Sequence, residues 1–137
     1  MTTEEKKIWL GRYRRAKRME EELELEIEAI ESSYIMPARR MDGMPRGGAG
    51  GDLSDMAEQI DQIFDKLKQQ LAKRVEIHNE IVDAVEHSPI SEIQRAILRY
   101  RYILCLKWEE VAEQVHVEES WMHRLRNDAI EKLVIKQ

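Results

Sequence analysis

Trp108-Glu-Glu-Val-Ala-Glu-Gln-Val-His-Val-Glu-Glu-Ser-Trp-Met-His-Arg-Leu-Arg-Asn127 is the stretch whose spacing decides the fold. Val111, Val115, Val117, Met122 and Leu125 fall at its fourth, eighth, tenth, fifteenth and eighteenth positions, with the small Ala112 at the fifth. One continuous helix would carry Val117 well off the face shared by Val111 and Val115, because successive helical side chains turn by about 100°. The pattern instead predicts two short helices broken between Val115 and Val117. They cross at a steep angle and bury these side chains against each other and a preceding helix, as in a helix-turn-helix. His116, in the middle of the turn, then needs a left-handed backbone. Glycine is preferred there, and His tolerates it better than most residues.

Working upstream, His87-Ser88-Pro89 ends one helix and starts the next. Ser88 is the expected N-cap and Pro89 the first helical residue, where a missing N–H costs nothing. A third helix over residues 90 to about 104 packs Ile93, Ile97, Tyr100 and Leu104 toward a fourth at 108–115 and a fifth at 119 to about 133. Before them, Asp52, Ser54 and Asp55 offer caps for a second long helix. Its Leu53, Met56, Ile60, Ile63, Leu67, Ile77 and Ile81 share one face, flanked by Phe64, Leu71, Val75, Val82 and Val85. At 1.5 Å per residue, about 35 residues reach roughly 50 Å. Residues 3–33 place Trp9, Tyr13, Ala16, Leu23, Ile27, Ile30 and Tyr34 at helical spacing, interrupted by Glu20, and predict one long amphipathic first helix. Residues 36–51, with Met-Pro-Ala-Arg-Arg and Met-Pro-Arg-Gly-Gly-Ala-Gly-Gly, have no period and read as a flexible loop. The expected architecture is all-α: a coiled-coil hairpin over residues 1–87 with its loop at 36–51, then a three-helix, helix-turn-helix module over 88–137.

Composition agrees. Five of the six Gly and two of the three Pro lie within residues 37–51, so the remaining chain has almost no helix breakers. A charged fraction of 36% with a single Phe implies solvated helices with thin apolar seams. The lone Cys105 excludes an intramolecular disulfide and a multi-cysteine zinc site, which fits a reducing compartment. No apolar run approaches the roughly 20 residues of a membrane span, and the start lacks a signal peptide's apolar core. A cytoplasmic protein is expected.

The net charge of −5 argues against indiscriminate nucleic-acid binding, but the balance is uneven. Residues 1–18 hold seven basic residues against Glu4 and Glu5; seven Glu follow between Glu20 and Glu31. Arg95, Arg99, Arg101 and Lys107 then lead into the decisive stretch with no acid among them. If the fifth helix enters the major groove of double-stranded DNA, its amino-terminal end and outer face present Glu118, Glu119, Ser120, His123, Arg124 and Asn127 to base edges. Arg can make a bidentate contact to guanine, Asn to adenine, and Glu can accept from cytosine. Arg95, Arg99, Arg101, Lys107 and Arg126 are the expected phosphate contacts. Trp121 either packs at the core edge or stacks on sugar.

The runs Leu98-Arg-Tyr-Arg-Tyr-Ile103, Trp108-Glu-Glu-Val-Ala112, Trp121-Met-His-Arg-Leu125 and Ala129-Ile-Glu-Lys-Leu133 resemble region 4 of bacterial sigma factors. With the Met44-Pro-Arg-Gly-Gly loop and the two long helices, nearly the whole chain resembles a family of small phage and prophage proteins. These are sigma region-4-like, near the ArpU and RinA type regulators of late phage transcription. The resemblance implies a sequence-specific DNA-binding transcription regulator in the cytoplasm of a bacterial host, associated with the nucleoid. Host RNA polymerase is an implied partner, and homodimerisation through the long helices is a second possibility. The chain departs from the family at Cys105 and His116, where turn glycines are usual, and at Lys107, where the family has a capping Ser.

Enzymatic chemistry is not expected. His78, His87, His116 and His123 have no metal-ligand spacing with each other or with Cys105, and no cofactor is indicated. The Gly47–Gly51 run lacks the Lys-Ser/Thr ending of a phosphate-binding loop. The basic residues 12–18 suit either an acidic partner such as DNA or polymerase, or pairing with Glu of the second helix. Two further classes stay open: a small-terminase-like DNA-packaging subunit and a coiled-coil adaptor without DNA binding.

Overall fold

The computed structural model describes residues 1–40 and 53–136, with side chains to residue 34 and from residue 53. The expected loop at 36–51 falls outside the described residues from residue 41 on, as does the Asp52 cap. Among the described residues every regular element is helical: α1 Thr3–Leu10, α2 Arg12–Arg40, α3 Leu53–His87, α4 Glu92–Leu98, a π-helical turn Arg99–Ile103, α5 Trp108–Val115 and α6 Glu119–Lys132.

The first long helix is broken in two. Thr2 caps α1 by accepting from the Glu5 N–H at 3.2 Å, and the helix ends at Gly11. There the Arg12 Nε donates to the Trp9 carbonyl at 3.1 Å and an Arg15 guanidinium N–H to the Ile8 carbonyl at 2.9 Å, so side chains take carbonyls a continuous ladder would use. The break seats Leu10, absent from the expected stripe, in the core with no exposure at all. At its other end α2 runs to Arg40, so residues 36–40 are helical rather than loop. A proline inside a helix leaves the carbonyl four residues earlier without its donor. That carbonyl belongs to Ser33, which is exposed, and water can satisfy it.

The chain divides into two compact units, Met1–Ala16 with Arg74–Gln137, and Lys17–Lys73. Among its described residues the second buries only Ile27 and Ile63 of its large side chains, Gln59 Nε2 donates to the Tyr34 hydroxyl at 3.3 Å, and Leu25, Phe64 and Leu71 are exposed. The first unit does not follow the boundary expected at residue 88. Leu10, Tyr13 and Ala16 share one core with Ile77, Ile81, Ala84 and Val85 of α3 and with Ala129, Ile130 and Leu133. Lys6 Nζ also donates to the Glu131 carbonyl at 2.8 Å. A second cluster joins Ile97, Val111, Ala112 and Met122, with Ile93, Tyr100, Val115, Val117 and Leu125 partly buried around it.

Ser88 is not the N-cap of α4. Ser91 is, accepting from the Gln94 N–H at 3.3 Å while Gln94 Oε1 accepts from the Ser91 N–H at 2.9 Å. This reciprocal capping box satisfies two otherwise orphaned donors at once, which Ser88 cannot do because the residue three positions on is Ser91 and not Glu or Gln. Ser88 is instead buried, donating to the Ala84 carbonyl at 2.6 Å and accepting from the Val134 N–H at 2.8 Å. Leu104, expected in the core, is 57% exposed, because the helical phase changes at the π-turn and the chain leaves the helix there.

Candidate functional site

The π-turn closes on Leu104 N–H to the Arg99 carbonyl and Leu106 N–H to the Tyr100 carbonyl, both 3.0 Å. Cys105 follows with φ of 58°, the left-handed conformation for which a turn glycine is usual. Lys107 cannot cap α5 with its side chain; Glu110 Oε1 covers the Lys107 N–H at 3.3 Å. The far end of α5 closes at His116, with φ 58° and ψ 43°, as the residue spacing requires. His116 N–H donates to the Glu113 carbonyl and Val117 N–H to the Ala112 carbonyl, both 3.2 Å, a Schellman arrangement with Val117 and Ala112 in the same apolar cluster.

This turn launches α6 with Met122 and Ile130 fully buried. Gln94, itself buried, fixes the register of α6 by donating from Nε2 to the Leu125 carbonyl at 3.1 Å and to Asp128 Oδ2 at 2.8 Å. That hydrogen bond, followed by one from Lys132, holds the Asp128 carboxyl below the usual aspartate range. On the opposite face Ser120, Arg124 and Asn127 are exposed at helical intervals of four and three. Among the described residues none of the three is hydrogen-bonded or ion-paired through its side chain. Val117, Glu118, Ser120, Trp121 and Arg124 line an open concavity at the amino-terminal end, where Glu118 and Glu119 are exposed. Trp121 is 49% exposed.

His123, expected with the outward set, is only half-exposed. Its Nε2 lies 3.5 Å from Glu119 Oε1, its Nδ1 3.2 Å from an Arg126 guanidinium N, and its ring 5.1 Å from Trp108. The five expected phosphate contacts separate into groups. Arg95 closes the end of α3, donating to the Val85 carbonyl at 3.3 Å and the Ser88 carbonyl at 3.1 Å, and Arg99 pairs with Glu86 at 3.4 Å. Lys107 is exposed at the start of α5. Arg101 and Arg126 come together on the Trp108 indole, their Cζ atoms 4.4 and 4.6 Å from the ring centre. Burial, first, and then the charge of Arg14, with a smaller effect of Arg126, lower the pKa of Arg101.

Residue patterning had no signal for Trp108 as the organising ring, because a stack of two guanidiniums on one indole does not depend on helical period. Arg12, from the basic run 12–18, pairs with Glu80 at 2.6 Å, the helix-pairing alternative for this segment. Among the described residues no group of His, Cys, Asp and Glu is placed to hold a metal ion, and no helix is long and apolar enough to cross a membrane. Compared with known proteins, the chain matches no family model, no curated protein and no solved structure.

Proposed function

We propose that this chain is a sequence-specific DNA-binding transcription regulator of phage or prophage type, with α5 and α6 as a sigma region-4-like helix-turn-helix and α6 as its reading helix. The observation that carries the reading is the exposed Ser120, Arg124 and Asn127 stripe on a short helix whose other face is buried. Side chains with both donor capacity and freedom from the rest of the chain are what base-edge recognition needs, and Arg and Asn are the residues for guanine and adenine. A left-handed turn that sets the helix against its partner supplies the rigid mount. The resemblance to late-gene regulators directs the proposal toward phage promoters or operators, with host RNA polymerase as the further partner.

Of the phosphate contacts expected from sequence, this reading keeps Arg101, Arg126 and Lys107. Arg95 and Arg99 serve the protein's own carbonyls and carboxylate. The test is selection of bound duplexes from random DNA, then titration of Arg124→Ala and Asn127→Ala against the selected site at moderate salt. Each variant should melt like wild type and lose about 1–3 kcal/mol of specific binding, with relaxed preference at one base pair. Unchanged affinity in both variants refutes α6 as the reading helix. A solution mass corresponding to a ring of many copies would instead favour DNA packaging.

A further inference from the structure

The basic side chains of the first unit differ in how they are neutralised. Arg12 has Glu80, Arg99 has Glu86 and Lys132 has Asp128, while Arg95 lies on backbone carbonyls. Arg101 and Arg126 have no such acid: among the described residues no carboxylate forms an ion pair with either. Both nonetheless converge on Trp108, and their separation cannot exceed their two distances to its ring taken together. Arg126 Nε is buried and has no hydrogen-bond partner among the described residues, and Arg101 is steadied by one N–H on the Leu106 carbonyl at 2.9 Å. The neighbouring acids are turned elsewhere, Glu110 to the Lys107 N–H and Glu119 to His123.

Converging like charges in a partly dehydrated setting repel, and the face of one indole offsets only part of that repulsion. An anion removes it. The planar guanidinium fork matches the oxygens of a phosphate, and an indole holding the guanidiniums in place lowers the entropy cost of binding one. Arg126 follows Leu125 and precedes Asn127 on α6, about 100° round the helix from Asn127, so an anion it meets flanks the reading stripe rather than lying on it.

We infer that Arg101 and Arg126 form a clamp, organised by Trp108, for the DNA phosphate backbone flanking the bases that α6 reads. This inference rests on the DNA-binding reading above and adds to it Trp108 as the group that positions both guanidiniums. The cluster contributes affinity on every sequence, whereas Arg124 and Asn127 contribute it on one.

The test measures binding of wild type, Arg101→Gln and Arg126→Gln to the selected duplex and to an unrelated duplex between roughly 50 and 200 mM salt. Each variant should weaken both duplexes alike and flatten the dependence of log K on log salt by about 0.9 for each phosphate that is no longer neutralised. Arg101→Lys and Arg126→Lys, which retain the charge, should recover most of the slope. Each slope is read at a temperature where circular dichroism shows the variant folded. Wild-type slopes in Arg101→Gln and Arg126→Gln, with the wild-type protein binding DNA, overturn the clamp and leave the reading helix standing. Weakening confined to the selected duplex overturns it too, because these residues would then be base readers. A wild-type protein that binds neither duplex removes the DNA-binding reading and the clamp with it.

Discussion

Substituting Val for His116 perturbs the turn that separates two helices from one, and little else. His116 is exposed, and among the described residues its side chain forms no hydrogen bond or ion pair, so the change acts through the backbone at φ 58°, ψ 43°. An L-residue in this conformation costs roughly 1–2 kcal/mol. His is among the residues enriched there, whereas a β-branched residue is a true outlier. The chain could avoid the strain only by giving up the His116 N–H to Glu113 and Val117 N–H to Ala112 bonds, about 1 kcal/mol each, so escape is no cheaper. His116 already bears that cost, so His116→Val adds only the extra strain of a β-branched residue and should destabilise by about 1 kcal/mol. His116→Gly relieves the strain but gives the unfolded chain more freedom, which takes back about 0.4–1 kcal/mol, leaving a net gain of about 0.5 kcal/mol. Urea unfolding followed by circular dichroism and by Trp108 and Trp121 fluorescence, with m unchanged, reads both shifts. Equal stability of the Val variant and wild type, or a Gly variant less stable by more than about 1 kcal/mol, would refute a left-handed turn at His116.

Val111→Asp places a carboxylate where the side chain has no exposure and no basic partner, and should cost about 4 kcal/mol, enough to abolish the cooperative melt of the first unit. A wild-type melting curve would mean that Val111 is not in the core. The Asp128 carboxyl is held low chiefly by Gln94, so its stabilising contribution is present above the ordinary aspartate range and disappears as pH falls through its depressed folded pKa. A carboxyl NMR titration should show a low midpoint in wild type that moves up toward the ordinary range in Gln94→Leu; an unmoved midpoint would show that Gln94 is not the cause.

Periodicity carried the parts of the fold that long-range packing decides. α5 ends at Val115 and α3 spans 35 residues as their apolar spacing implied, because a buried stripe of Val, Ile and Met can form in only one phase of a helix. What escaped was local competition. Ser88-Pro89 and Ser91-x-x-Gln94 both satisfy helix-start rules, and only the second closes a reciprocal pair of hydrogen bonds. The break at Gly11 and the π-turn at 99–103 depend on carbonyls being taken by unexpected donors, and a carbonyl is the same at every residue. The same limit applies at the site. That Arg95, Arg101 and Arg126 are basic was plain, but whether each meets a carbonyl, a carboxylate or an indole follows from partners distant in the chain.

Glu118 and Glu119 sharpen what the proposed site can do. At the start of α6 they lie at the positive end of the helix dipole and so stabilise the helix, although Glu118 makes no side-chain cap hydrogen bond. The same carboxylates repel a phosphate approaching that end. In the proposed reading a backbone contact then comes from the other flank, where Arg101 and Arg126 meet on Trp108. A duplex held on one flank and resisted on the other gains little from sequences that give the acids no donor. One that places a cytosine amino group before Glu118 or Glu119 converts the repulsive end into a hydrogen bond. The near balance of eight basic and seven acidic residues over 95–137 is therefore compatible with selective binding. If the chain binds DNA as proposed, the acids lower affinity for every sequence and restore it only where the bases answer them.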